Sequence, residues 1–258
     1  CLAAQRPSSS GGGFALMRYQ IVFWDSGGTI FGPGRDGPLA EKPSPREVRE
    51  GRVHRVSLAL EMFGHRAPSD LGRVLQDTSS ELQEKLGARY SLERLASGVY
   101  ERLSLPVRPE ETILVADAIG GPRYRTWLWD GVADALKALA EAGVRMGVIA
   151  DTDWTGRMMS RALAGVGLRE YFGPVICSCD VGVRKPAPEI FAAARELIPD
   201  VPSGSPVLYV GDNLEKDVGG AIAFGWDAAY HVTTKGGSSG RAVLDFVQYQ
   251  DLVTLVAG

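Results

Sequence analysis

The sequence predicts an α/β protein: a parallel sheet core interrupted by an inserted α-helical segment. Two observations carry this. Apolar runs at 19–24, 145–150 and 206–210 have the length of buried strands, and each leads into a carboxylate, at Asp25, Asp151 and Asp212. From about residue 126 onward such runs alternate with helical periods, the pattern of a parallel sheet covered on both faces, whereas between about 40 and 125 the strand signal vanishes.

The elements follow in order. Residues 1–16, with Ser8-Ser9-Ser10-Gly11-Gly12-Gly13 and no continuous apolar stretch, read as a flexible leader that lacks the hydrophobic region of a secretory signal; Met17 immediately precedes the first strand. Helices are predicted over 46–63, 71–86, 92–103 and 109–119, broken by Gly64, Gly87 and Pro106. This insertion, 40–125, leaves just after the first strand and returns before the second. It therefore sits over the carboxyl ends of the strands, where ligands bind in open α/β sheets and where a lid belongs. The core comprises 17–39 and 126–258. Within it, 130–142 carries Val132, Leu136, Leu139 and Ala140 at helical spacing and stops at Gly143. Strand 145–150, helix 155–166, strand 175–178, helix 188–197 and strand 206–210 come next. A strand at 228–232 follows Gly225, and 246–256 closes the chain as a helix.

The composition narrows the function. The chain has 258 residues, 45% hydrophobic and 23% charged, proportions that bury a core able to outweigh chain entropy. Its 28 basic and 31 acidic side chains leave a formal charge of −3, no field of one sign that would recruit nucleic acid or an acidic membrane surface. No apolar run reaches the roughly 18 residues of a bilayer span. Three cysteines make no disulfide framework, and a reducing, cytoplasmic setting fits. Cys177 and Cys179, in a strand-like run, read as buried inert thiols. Nothing in the sequence reports oligomeric state.

Chemistry concentrates at the strand ends. Asp25-Ser26-Gly27-Gly28-Thr29 sets a carboxylate beside a Gly-rich turn whose main-chain N–H groups suit an oxyanion. Gly211-Asp212-Asn213-Leu214-Glu215-Lys216-Asp217 sets a second carboxylate at another strand end and a third five residues on. Carboxylates converging on one edge repel unless a cation lies between them, and hard oxygen ligands suit Mg²⁺. Lys185, in Gly182-Val183-Arg184-Lys185-Pro186, supplies a positive charge.

Over roughly residues 19–233 this pattern resembles the haloacid dehalogenase superfamily, through Asp25, the helix and strand of 130–150, the stretch from Val181 to Phe191, and Gly211-Asp212 with Asp217. The resemblance implies a Rossmann-like α/β core with an inserted helical cap, and a Mg²⁺-dependent hydrolase that removes phosphate from a small phosphorylated compound. Asp25 would be nucleophile and metal ligand, with the Gly27 carbonyl and Asp212 as further metal ligands. Lys185 would hold the phosphoryl group, which Gly28 and Asp151 would also bind. Asp217 and Asn213 would stand behind this set, Asp217 orienting Lys185 or the metal's waters.

Two positions depart from the phosphatase pattern. The acid/base Asp expected two residues after the nucleophile is Gly27, and the Ser or Thr expected at the end of the second strand is Ala150, with Thr152 nearby. General acid–base help is worth about 10²- to 10⁴-fold, so alkyl phosphates should turn over slowly and an aspartyl phosphate should break down slowly. A replacement carboxylate could come from Asp151, the better placed, from Asp153 or from the helical insertion; Asp151 and Asp153 could instead cap the helix that follows. The alternatives are an impaired metal- or phosphate-binding accessory protein, a phosphotransferase, or a dehalogenase or phosphonatase relative; Gly27 matches neither of the last two, and Lys42 and Lys85 are the only cap lysines. Trp127, Trp129 and Trp154 read as core, and His54, His65 and His231 lack ligand spacing.

Overall fold

The computed structural model describes residues 17–32, 44–121, 128–233 and 237–258. The leader, both junctions of the helical insertion, Lys42 and Trp127 lie outside the described residues.

Strand β1 (Ile21–Trp24) is buried at every residue and alternates between two apolar clusters, Val22 and Trp24 on one face, Ile21 and Phe23 on the other. Four helices follow. In α1 (Pro45–Met62), Ser44 and Glu47 form a capping box, and Pro45 occupies the first helical position, where its missing N–H costs nothing. Helices α2 (Leu71–Leu86), α3 (Leu92–Arg102, capped by Ser91) and α4 (Pro109–Gly120) complete the layer. Helix α1 packs on α2 and α4, and α3 on the same two, through Val56, Leu60, Leu75, Leu95, Val99 and Val115.

The chain then runs through α5 (Val132–Glu141), β2 (Arg145–Ala150), α6 (Gly156–Gly165), β3 (Val175–Cys177), α7 (Ser178–Val181), α8 (Pro188–Glu196) and β4 (Val207–Gly211). A π-helical turn (Leu214–Gly219) leads into α9 (Gly220–Phe224), then β5 (Asp227–His231), β6 (Leu244–Phe246) and α10 (Tyr249–Ala257). All six strands are parallel, in the order β3-β2-β1-β4-β5-β6. Trp24 lies opposite both Val148 and Val210, so Asp25 emerges between two neighbouring strand ends. The chain order reverses at β1, which opens the crevice where such sheets bind ligands.

The α/β fold with its parallel sheet is the one the sequence predicts. Two details differ. Phe246 belongs to a sixth strand, and the last helix begins only at Tyr249. Three residues pairing with Ala229, Tyr230 and His231 complete the sheet edge, a non-local gain that helical spacing cannot reveal. Strand β3 ends at Cys177, and Ser178 and Cys179 turn into α7.

Candidate active site

Asp25 follows β1, and its N–H donates to the Val210 carbonyl at 2.8 Å, which ties the β1 end to β4. Its side chain is buried against Lys185, whose Nζ donates to Asp25 Oδ1 at 2.6 Å, to Asp217 Oδ1 at 2.6 Å and to the Tyr209 hydroxyl at 2.8 Å. That hydroxyl donates onward to the Ile149 carbonyl at 3.0 Å. The second oxygen of Asp217 accepts the Asn213 N–H at 2.9 Å, while the Asn213 side chain caps the π-helical turn through the N–H groups of Glu215 and Lys216. Gly211 makes room for this: a Cβ there would stand 2.4 Å from the Asp217 Cβ. The sequence-predicted Asp25, Lys185, Asp212, Asn213 and Asp217 thus meet at one sheet edge.

One carboxylate oxygen from each of Asp25, Asp212 and Asp217 lies within 4.8 Å of the others. Three carboxylates against one ammonium leave two excess negative charges, the charge of one divalent cation. Burial, with repulsion from Asp217 and Asp212, outweighs the attraction of Lys185 and pushes the Asp25 carboxyl up to about 7. Burial and then Asp217 push Asp212 up to about 6. Burial alone would lower Lys185, but Tyr209, Asp25 and Asp217 hold it well above its ordinary range. Both oxygens of Asp217 are already committed to donors, so Asp25 and Asp212 are the carboxylates left for a cation. Gly28 faces Asp212 with φ +91°, and a Cβ there would lie 2.1 Å from Asp212 Oδ2. The bare backbone therefore forms a cradle at the carboxylates. Hard oxygen donors, net charge and cradle together fit Mg²⁺.

The turn after Asp25 is held from behind. Ser26 carbonyl accepts the N–H groups of Ile30 and Phe31, at 3.0 and 2.8 Å. His231 Nδ1 donates to the Gly28 carbonyl at 2.9 Å, and the Tyr249 hydroxyl donates to the Thr29 carbonyl. Trp129 meets the His231 ring edge-on at 4.9 Å. Among the described residues, the N–H groups of Ser26, Gly27 and Asp151 donate to no acceptor, which leaves three donors at adjacent strand ends. His231 and Tyr209 are the site neighbours that motif reading missed. Both lie in apolar strand runs without a spacing signature, and only the strand-end position of His231 hints at the site.

The replacement carboxylates are used otherwise. Asp151 Oδ1 accepts the Lys185 N–H at 2.9 Å; its Oδ2 is sealed from solvent, 3.4 Å from Lys216 Nζ. Asp153 pairs with Arg184 at 2.9 Å. Neither caps α6: Thr155 does, through the Met158 N–H. The Thr152 hydroxyl accepts the Trp154 N–H at 3.2 Å. Trp154 is buried, its indole against Gly120. Burial pushes both thiols up, Cys179 to about 12 and Cys177 further.

A family model described as a haloacid dehalogenase-like hydrolase matches residues 19–225. The chain belongs to this family. Human haloacid dehalogenase-like hydrolase domain-containing protein 3 is 38% identical over 101 residues, 39% of this chain and 38% of the relative. Phosphoserine phosphatase from Thermus thermophilus is 30% identical over 122 residues, 47% of each chain, and glyceraldehyde 3-phosphate phosphatase from Methanopyrus kandleri is 33% identical over 90 residues, 35% of this chain and 37% of the relative. The chain thus spans less than half the length of these curated relatives. The fold is that of the 2-haloacid dehalogenase of Pseudomonas syringae, with TM-score 0.58 at 19% identity over 92% of this chain and 97% of the other. No helix among this chain's described residues is long and apolar enough to cross a membrane.

Proposed function

We propose that the protein is a Mg²⁺-dependent hydrolase that removes phosphate from a small phosphorylated metabolite through an aspartyl phosphate on Asp25. The observation that carries this is the 2.6 Å contact between Lys185 Nζ and Asp25 Oδ1 inside a cluster of three carboxylates. A lone strand-end carboxylate has no need of a buried ammonium, and a buried ammonium is retained where charge must be offset. Asp25 Oδ2, Asp212 and the Gly27 carbonyl would hold the ion, which would draw charge from the phosphoryl oxygens.

The chain's own groups do the rest. Asp25 attacks phosphorus, Lys185 offsets the charge crowding the transition state, and the N–H groups of Ser26, Gly27 and Asp151 receive phosphoryl oxygens. Asp217 and Tyr209 hold Lys185 in place, and Asn213 holds Asp217. Residues 40–125 act as a cap over the crevice and the remainder of 17–258 as the core. Contacts between the two support this: Leu92 N–H donates to the Asp153 carbonyl at 2.9 Å, and Arg161 of α6 forks onto Asp117 of α4 at 2.8 and 2.9 Å.

The test incubates the protein with Mg²⁺ and a panel of phosphate esters and acyl phosphates, following phosphate release and mass gain on Asp25. Release abolished by Asp25→Asn is the expected result. Mg²⁺ binding with neither label nor release overturns it in favour of a binding protein.

A further inference from the structure

Resting on the hydrolase reading above, we infer that this site turns over phosphoryl compounds whose leaving group departs as a stable anion without receiving a proton: acyl phosphates, phosphoanhydrides and aryl phosphates rather than alkyl phosphate esters. The groups that promote attack are all present, and the groups that would protonate a leaving oxygen are absent or committed elsewhere.

Lys185, the carboxylate cluster and the free N–H groups of Ser26, Gly27 and Asp151 serve the incoming nucleophile and the phosphoryl charge. Position 27, two residues past the nucleophile, is exposed and carries no side chain. Of the nearby candidates, Asp151 spends Oδ1 on the Lys185 N–H and has Oδ2 closed to solvent, so a leaving group has no path to it. Asp153 is paired with Arg184, and the Thr152 hydroxyl, whose oxygen accepts the Trp154 N–H, is too weak an acid to protonate a leaving oxygen. Lys185 is 4% exposed and binds two carboxylates and a hydroxyl, so its protons are directed away from the leaving oxygen. The other titratable side chains at this turn are committed to holding it or to the cation: His231 Nδ1 donates to the Gly28 carbonyl, the Tyr249 hydroxyl donates to the Thr29 carbonyl, and Asp212, facing Gly28, belongs to the carboxylate cluster.

The steps balance without an acid. An Asp25 carboxylate oxygen bonds to phosphorus as the bond to the leaving oxygen breaks, and the electron pair leaves with that oxygen as a carboxylate, phosphate or phenolate. Water then bonds to phosphorus, the Asp25–phosphorus bond breaks, and the carboxylate is restored. One water proton remains on the phosphate and the other passes to solvent. With no base beside it, the second step is the slow one.

The experiment measures single-turnover phosphorylation of Asp25 by aryl phosphates with leaving-group pKa from about 4 to about 10 in Mg²⁺. The rate should fall roughly tenfold for each unit, the behaviour of a group that carries away its full charge, and the best donors should give a burst of phenolate stoichiometric with enzyme. Gly27→Asp should flatten the slope and shorten the lifetime of the label; the position lies outside the left-handed glycine conformations, so the backbone accepts a side chain. A shallow slope in the native enzyme overturns the inference whether or not the variant folds, because something then protonates the leaving oxygen. Absence of label from every donor overturns the underlying hydrolase reading as well.

Discussion

Asp151 accepts the main-chain N–H of Lys185 at 2.9 Å, so the residue that follows β2 sets the position of the ammonium facing the nucleophile. Asp151→Asn keeps an acceptor there and should retain most of the activity. Asp151→Ala removes it and should lower kcat about tenfold, the worth of one hydrogen bond expressed in the transition state. Steady-state rates with an aryl phosphate distinguish this from an acid/base role, in which Asn would be as damaging as Ala.

Lys185 is enclosed with two carboxylates, and its removal strands them. Lys185→Met should cost about 3–5 kcal/mol of stability, as for other broken buried pairs, and abolish phosphate release. Thermal melts should show the loss to be smaller at pH 5 than at pH 8, because protons taken up by the stranded carboxylates replace the missing cation.

Asp25, at about 7, and Asp212, at about 6, both lie above an ordinary carboxyl. Between their unfolded values near 4 and these raised ones the folded state binds more protons than the unfolded, so stability without metal falls as pH rises through that window. Mg²⁺ competes with those protons. The rise in Tm on adding Mg²⁺ should be large at pH 8 and small at pH 5, and a pH-independent rise would contradict the assignment of these two carboxylates as ligands.

Gly28→Ala combines a left-handed backbone with a Cβ aimed at Asp212. The conformation alone costs about 1–2 kcal/mol, and relief of the 2.1 Å clash must displace the carboxylate. Calorimetry should find Mg²⁺ binding lost while circular dichroism still reports a folded α/β chain.

The core was legible because β1, β2 and β4 are apolar runs with no charged residue past the Arg145 that opens β2, and because Asp25 and Asp212 fall at strand ends where the sheet must present them. The short β6 was not legible: Leu244–Phe246 pairs only through distant β5, and its neighbours carry a helical period. Asp25, Lys185 and Asp217 could be chosen from motif spacing, but the part played by Asp151 could not, since its partner is a main-chain N–H 34 residues away. Tyr209 was hidden by its own strand, where a buried aromatic residue reads as packing until its hydroxyl is seen between Lys185 and the Ile149 carbonyl.

The turn that bears the nucleophile leans on the far end of the polypeptide, because Tyr249 at the start of α10 grips the Thr29 carbonyl and Val256 near its close receives the Arg18 N–H. Shortening the chain by its final helix would leave every group that meets substrate in place and yet withdraw the wall they rest against. Damage remote from the chemistry would then register as a loosened Asp25.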